Sequence, residues 1–288
     1  MDGLTGEHLM SRSFKLSARG DNYDAAVVTD VGTVRVNNED ACVLWGDGKG
    51  EVLVAVADGI GGYEGGEIAS RLAVEITLES YRDAPASWGP ARRLLRAVQR
   101  ANIEIRNRAL VVPELSRMGT TLTAAVISNG TLFAAHVGDC RLYIVRQSKL
   151  TQLSRDHTVV ADWIRAGIVR REFAANHPQR SVLSRAIGQE LIVAIDRITM
   201  PLKSDDVVLI CSDGLYSVIS EEELKEISAR SPVEAACETL IDEANRRGTA
   251  DNLTVAIVRF FGDTPHLPGG PFERVRSWFC ALTGIGRR

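Results

Sequence analysis

Short apolar, β-branched runs dominate the chain, and long helices do not. Residues 25–29, 52–57, 121–128, 131–137, 141–146, 192–199, 207–211 and 253–260 each read as a strand. The dipeptide Asn129-Gly130 between two of these runs suits a tight type I′ turn, and Gly138-Asp139 separates the next two. The middle of the chain is therefore expected to be an antiparallel meander. Helical periodicity comes in pairs, 64–81 with 92–110 and later 220–229 with 232–246. Ser220-x-x-Glu223 has the form of a capping box, and Ser231 before Pro232 places a cap ahead of a residue suited to the first helical position. Paired helices beside antiparallel strands predict an α+β fold: a β-sandwich of two antiparallel sheets flanked by helix pairs, in four α-β-β-α layers.

The punctuation divides the chain. Residues 1–22 read as a lead segment, and 23–262 as one domain with an irregular basic flap at about 156–186. Prolines and a Gly-Gly pair after Phe261 open a tail at 263–288. In the tail Phe272, Val275, Trp278, Phe279, Leu282 and Ile285 recur near helical spacing among arginines. That spacing is compatible with a short basic helix on a membrane surface, but the expectation is a frayed end or one docked on its own domain.

With 45% apolar and 25% charged residues, the 288-residue chain has the composition of a globular protein. A net charge of −3 gives no reason to expect nucleic acid, so phosphate recognition should be local. The first twenty residues hold charges and no apolar run, and Cys42, Cys140, Cys211, Cys237 and Cys280 are scattered and odd in number. Both features predict a cytoplasmic protein with reduced, buried thiols.

Candidate chemistry emerges where acids meet strand ends. Asp58 follows the run 52–57, Asp139 the run 131–137 and Asp213 the run 207–211, while Asp251 precedes the run 253–260. In a sandwich such ends gather along one edge, where four carboxylates repel unless cations neutralise them. Oxygen ligands without His or Cys favour Mg2+ or Mn2+ over zinc. Each Asp-Gly alone would be an ordinary turn.

The neighbouring sequence goes further. Eight segments follow one another in order: Thr29-Asp30-Val-Gly32-x-Val-Arg35-x-Asn37-Asn38-Glu39-Asp40; Val56-Ala57-Asp58-Gly59-Ile60-Gly61-Gly62 with Gly66-Glu67-x-Ala69-Ser70; Met118-Gly119-Thr120-Thr121-Leu122; His136-Val137-Gly138-Asp139-Cys140-Arg141; Leu150-Thr151-x-Leu153-Ser154-x-Asp156-His157; His177-Pro178-Gln179-Arg180-Ser181; Cys211-Ser212-Asp213-Gly214-Leu215; and Gly248-Thr249-Ala250-Asp251-Asn252-Leu253-Thr254. Together they resemble, in bacterial form, the protein phosphatase 2C family of metal-dependent serine/threonine phosphatases. The resemblance implies hydrolysis of phosphoserine and phosphothreonine on proteins by a metal-activated bridging water. It implies two tightly bound Mn2+ or Mg2+ ions and a third, weaker one. Asp58 would bridge the two, with the Gly59 carbonyl on one and Asp213 and Asp251 on the other. Glu39 and Asp40 would orient bound waters, Asp139 would share the third ion with Asp213, and Arg35 would grip the substrate phosphate. By analogy the partners would be phosphoproteins made by a eukaryotic-like Ser/Thr kinase, met by a monomer.

Two departures stand out. Ile60 occupies the place where many eukaryotic members carry a histidine assigned as general acid, and Cys140 replaces the usual serine. Two other readings remain open at this point. Cys140 with Arg146 has the Cys-x5-Arg spacing of thiol-dependent phosphatases, although the residues between read as a strand without glycine. The chain could also be a catalytically weak phosphatase-like signalling or binding module.

Overall fold

The computed structural model describes residues 13–60, 65–85, 87–173 and 177–262. One sheet takes its six strands in the order β1 (Ser13–Arg19), β2 (Tyr23–Asp30), β12 (Leu253–Phe260), β11 (Val207–Cys211), β8 (Arg141–Arg146) and β9 (Lys149–Gln152). The other runs β10 (Asp196–Pro201), β7 (Thr131–Val137), β6 (Leu122–Ser128), β4 (Val52–Ile60) and β3 (Asp40–Gly46), with β5 (Gly119–Thr120) paired to the end of β4. Every pairing is antiparallel. Helices α1 (Gly65–Asp83) and α2 (Pro90–Val111) cover the second sheet; α5 (Glu221–Ser228) and α6 (Val233–Arg246) cover the first.

The strand sequences explain the layering. β4 and β6 are buried on both faces because one face meets the opposite sheet and the other meets helices. Val54, Val56, Ile127, Leu142, Ile210 and Val258 pack between the sheets. Leu53, Ala55, Ala124 and Val126, the alternate residues, turn outward against Ala69, Ala73, Leu94 and Val98 of the helix pair. This is the four-layer arrangement that the hydrophobic pattern predicts.

Several local expectations need correction. Residues 13–19 of the lead segment form an edge strand in full register with β2, with Phe14, Leu16 and Ala18 packed on the core, so the boundary at residue 22 falls inside a hairpin. Asn129 (φ 49°) and Gly130 (φ 67°) do make the β6–β7 hairpin. Gly138-Asp139, however, does not continue a meander: it carries the chain from one sheet to the other. Gly138 has φ 106°, and a Cβ there would lie 2.5 Å from that of Thr121, so only glycine lets the crossing pass so close. β10 starts at Asp196 rather than 192 because its partner β7 ends one residue after His136, the residue opposite Asp196. Pro232 is the residue preceding α6, not its first, and no side chain caps that helix. Within the flap, α3 (Val159–Arg165) is helical and begins on Thr158, whose side chain accepts from the Ala161 amide. A four-residue helix, α4 (Asp213–Tyr216), follows β11 directly.

The Ser220 capping box forms as predicted, with Glu223 Oε2 accepting from the Ser220 amide at 3.0 Å. Removing a cap of this kind costs about 1 kcal/mol. Ser220→Ala should therefore lower the melting temperature by about 2–4 °C without affecting turnover, as calorimetry and an activity assay can check. Cys42, Cys140, Cys211 and Cys237 are free, buried thiols; Cys280 and the tail lie outside the described residues. Among the described residues no helix is long and apolar enough to cross a membrane.

Candidate active site

Antiparallel pairing sets the geometry of the site edge. Asp40 opens β3 and lies directly opposite Asp58 near the end of β4. Asp139 sits in the crossing between the sheets, Asp213 begins α4 where β11 stops, and Asp251 lies two residues before β12. Gly59 is buried, its amide donating to the Glu39 carbonyl at 3.1 Å. Glu39 carries the next side chain along, and Arg35 reaches over the edge from the loop before β3. All eight residues singled out in the sequence thus fall along one rim of the sandwich. Gly61 and Gly62 of the same motif lie outside the described residues.

The electrostatics of this rim are those of acids short of positive charge. Burial, reinforced by Asp213, lifts the Asp139 carboxyl to about 8; burial lifts Asp40 to about 7, against the pull of two hydroxyl donors. Asp213 is raised to about 6 by burial and by Asp251. Asp58, facing Asp40, Asp213, Asp139 and Asp251 at once, is pushed well above the carboxylate range, again chiefly by burial. Asp213 Oδ1 is buried without a hydrogen-bond partner. A cluster of buried carboxylates with an orphaned oxygen fits a divalent-cation site of hard oxygen ligands. Among the described residues no three His, Cys, Asp or Glu side chains already converge as a closed ligand set. Arg35 is the positive group nearest at hand. Its guanidinium pairs with Asp251 at 2.9 Å and donates from Nε to the Ala250 carbonyl at 3.2 Å.

The family model for Protein phosphatase 2C matches residues 33–255, well over half of the chain. The chain belongs to the protein phosphatase 2C family. It is 34% identical over 239 residues to the serine/threonine phosphatase stp of Listeria monocytogenes, covering 80% of this chain and 93% of that one. Its fold is similar to the crystal structure of the serine/threonine phosphatase PstP/Ppp of Mycobacterium tuberculosis, with a TM-score of 0.76 and 33% identity over 84% of this chain and all of that one. A PstP catalytic domain in complex with two manganese ions aligns with a TM-score of 0.73 at 31% identity, covering 84% of this chain and 99% of that chain.

As a family member, the chain surrounds its acids with fixed donors whose positions the strand pattern alone does not give. Asp40 Oδ2 accepts from Ser212 Oγ and from Thr254 Oγ1, each at 2.7 Å, which ties β3 to β11 and β12 across the sandwich. Asn252 Oδ1 accepts from the Glu39 amide at 2.8 Å while its Nδ2 donates to the carbonyls of Val31 and Asn37. The Asp58 amide donates to Thr121 Oγ1 at 2.8 Å, and the Asp58 carbonyl accepts from both Thr120 and Thr121. A Cβ on Gly214 would run into the Asn252 carbonyl, so glycine is what allows α4 to start hard against β12. The motif strings contain all of these residues, and the Asn-Asn-Glu-Asp and Asp-Asn pairs were the signal available.

The thiol reading fails on geometry. Arg146 is held by Asp206 at 2.5 Å, away from Cys140, and Cys140 is fully buried with its thiol pushed far up by burial and by Asp58. A thiol kept protonated is no nucleophile. In the flap, Arg165 is engaged by Asp162 and by the Asp156 carbonyl, and Arg170 pairs with Glu172 at 3.5 Å, so these arginines face acids of their own segment.

Proposed function

We propose that this family member hydrolyses phosphoserine and phosphothreonine on proteins at the acid-lined rim. In this reading Asp58, the Gly59 carbonyl, Asp213 and Asp251 hold two Mn2+ or Mg2+ ions, and Asp139 with Asp213 holds a third more weakly. The observation that carries the reading is the buried carboxylate cluster with its orphaned Asp213 oxygen, which Arg35, paired with Asp251, neutralises only in part. When bound, such ions supply a water nucleophile of lowered pKa and neutralise the phosphoryl oxygens in the transition state.

The remaining work falls to the chain. The hydroxyls of Ser212 and Thr254 hold Asp40 in one orientation, so it presents an acceptor aimed at the rim. Asn252 sets Glu39 beside it. Arg35 is half-exposed, with a planar fork suited to two phosphate oxygens, and its partner Asp251 is one of the proposed ligands. Ile60 puts no imidazole directly after Gly59, so no histidine at that position serves as general acid for the departing serine or threonine oxygen. Val34 and Val36 flank Arg35 and are exposed, offering apolar contact to the substrate around the phosphorylated residue. The free, buried thiols support a reducing, cytoplasmic setting, and by analogy the substrates are the products of a eukaryotic-like kinase, met by a monomer.

Phosphate release from phosphoserine and phosphothreonine peptides, with and without Mn2+, tests the proposal against a binding module, which would release none. Asp139 gives a finer test. Its ion has fewer protein ligands, so its loss should appear in turnover more than in folding. Asp139→Ala should leave the two tight ions bound, lower turnover at least about tenfold, roughly 1.4 kcal/mol in the barrier, and change the melting temperature in Mn2+ little. Unchanged turnover with a lowered melting temperature would make Asp139 a turn residue only.

A further inference from the structure

The Gly138-Asp139 crossing is gripped by a side chain that the reaction as described leaves unused. His157, at the start of the flap, is almost fully buried. Its Nδ1 accepts from the Gly138 amide at 3.1 Å, and its own amide donates to the Gly138 carbonyl at 2.8 Å. One residue on, the Asp139 carbonyl accepts from the Tyr216 hydroxyl at 3.2 Å, and Tyr216 belongs to the short helix that Asp213 begins. The peptide bearing Asp139 is thus clamped on one side by the flap root and on the other by the element that carries Asp213.

The ring is itself oriented. A backbone amide can only donate, so Nδ1 is bare and the neutral ring carries its proton on Nε2. Nε2 lies 3.3 Å from Asp196 Oδ2, an acceptor that takes its proton, and 3.1 Å from Arg185 Nη1, which bonds Asp196 Oδ1 at 3.0 Å. A second buried histidine braces the same segment: His136 Nε2 meets the Arg155 carbonyl at 2.9 Å, and its ring lies 4.8 Å from that of His157. The His157 carbonyl accepts from the Ser184 amide at 2.8 Å, and Thr158 pairs with Leu183, so the two ends of the flap close on this one residue.

We propose that His157 is a positioning residue for the phosphatase reaction: through the Gly138 peptide it holds the Asp139 carboxylate against Asp213 and ties that placement to the root of the flap. The proposal rests on the reading of Asp139 as a ligand. A residue behind a metal ligand that fixes its orientation typically affects affinity or activity 10–100-fold when removed. A merely packed histidine would affect stability and leave turnover in proportion to the folded fraction.

His157→Leu fills the space without an acceptor, whereas His157→Asn keeps an oxygen that can accept from the Gly138 amide. In the full-length protein, His157→Leu should lower kcat on a phosphoserine peptide about tenfold with KM little changed, and raise the Mn2+ concentration needed for half-maximal rate. Titration calorimetry with Mn2+ should show the two tight ions retained, and hydrogen exchange at the Gly138 amide should accelerate in the metal-free protein. His157→Asn should recover most of the kcat and slow that exchange again. Asp196→Ala, at a partly exposed position, removes the acceptor of the Nε2 proton and leaves Nε2 facing Arg185 Nη1, a donor that favours a proton on Nδ1 instead, and should shift the same readouts in the same direction by less; it decides alone if His157→Leu does not fold. Equal kcat and Mn2+ dependence in the Leu and Asn variants, or wild-type values in both His157→Leu and Asp196→Ala, would overturn the proposal. An impaired Asp139→Ala beside an unimpaired His157→Leu overturns the positioning role alone. An unimpaired Asp139→Ala overturns the reading of Asp139 and this proposal with it.

Discussion

In chelator the protein is expected to release no phosphate from a phosphoserine peptide, and Mn2+ or Mg2+ is expected to restore turnover. Asp58→Asn and Asp213→Asn should each abolish that restored activity, lowering kcat by at least about 10³-fold, since a metal centre contributes several kcal/mol to the barrier. The variants isolate charge from shape. Asn fills the volume of Asp but gives up one anionic oxygen, and at Asp213 one oxygen is already buried without a partner. Removing charge from a cluster in which Asp58 meets four other acids relieves repulsion, so both variants should fold, with far-ultraviolet dichroism unchanged. Mn2+ titrated calorimetrically into either variant should lose at least one of the tight binding events seen with the wild-type chain. Near wild-type turnover in either variant, or full activity of the chelated wild-type protein, would remove the acid rim from the chemistry.

The acids were legible because each ends or opens a long apolar run, and burial of those runs forces their ends to one rim. That argument places Asp58 after 52–57 and Asp213 after 207–211 at the rim, while the ordered motifs around them separate each Asp-Gly from an ordinary turn. What holds the acids was less legible. That Asp40 faces Asp58, or that Thr254 and Ser212 both reach Asp40, follows from strand register across two sheets, which no local pattern encodes. Gly138-Asp139 is ambiguous for a related reason: a short link between strands looks the same whether it turns back in one sheet or crosses to the other. Only the burial of both flanking strands against opposite helix pairs separates the cases. β1 carries the alternation of a half-buried edge strand, Phe14, Leu16 and Ala18 against Lys15 and Ser17, but it has no β-branched residue and sits among charges, so its strand signal is weak beside the runs of the core.

The same acids should make the metal-free protein less stable as pH rises. A carboxyl whose pKa in the folded state lies above its unfolded value binds its proton more tightly when folded. Its contribution is complete below the unfolded pKa, near 4, and is lost as pH rises through the folded pKa. Asp40 titrates at about 7 and Asp139 at about 8, so between pH 6.5 and 8 the folded state surrenders protons that the unfolded chain gave up long before. Opposing groups act lower on the scale. His136, pushed down to about 4 by burial, stabilises the fold as pH rises only up to about 6.5, where the unfolded histidine has lost its charge. Glu223 and Glu243, held down to about 2 mainly by Arg247 and Arg246, act lower still. Over the 1.5 pH units chosen, a proton retained by Asp139 alone corresponds to about 2 kcal/mol at 1.36 kcal/mol per unit, or roughly 4–8 °C of melting temperature. The chelated protein should therefore melt about that much lower at pH 8 than at pH 6.5. Excess Mg2+ should reverse the trend, because bound cations replace the protons and bind more tightly as those leave. Asp139→Asn, which cannot ionise, should flatten the slope in chelator and melt above the wild type at pH 8. A chelated wild-type protein whose melting temperature is constant or rises from pH 6.5 to 8 would mean that the rim is not a store of unneutralised charge.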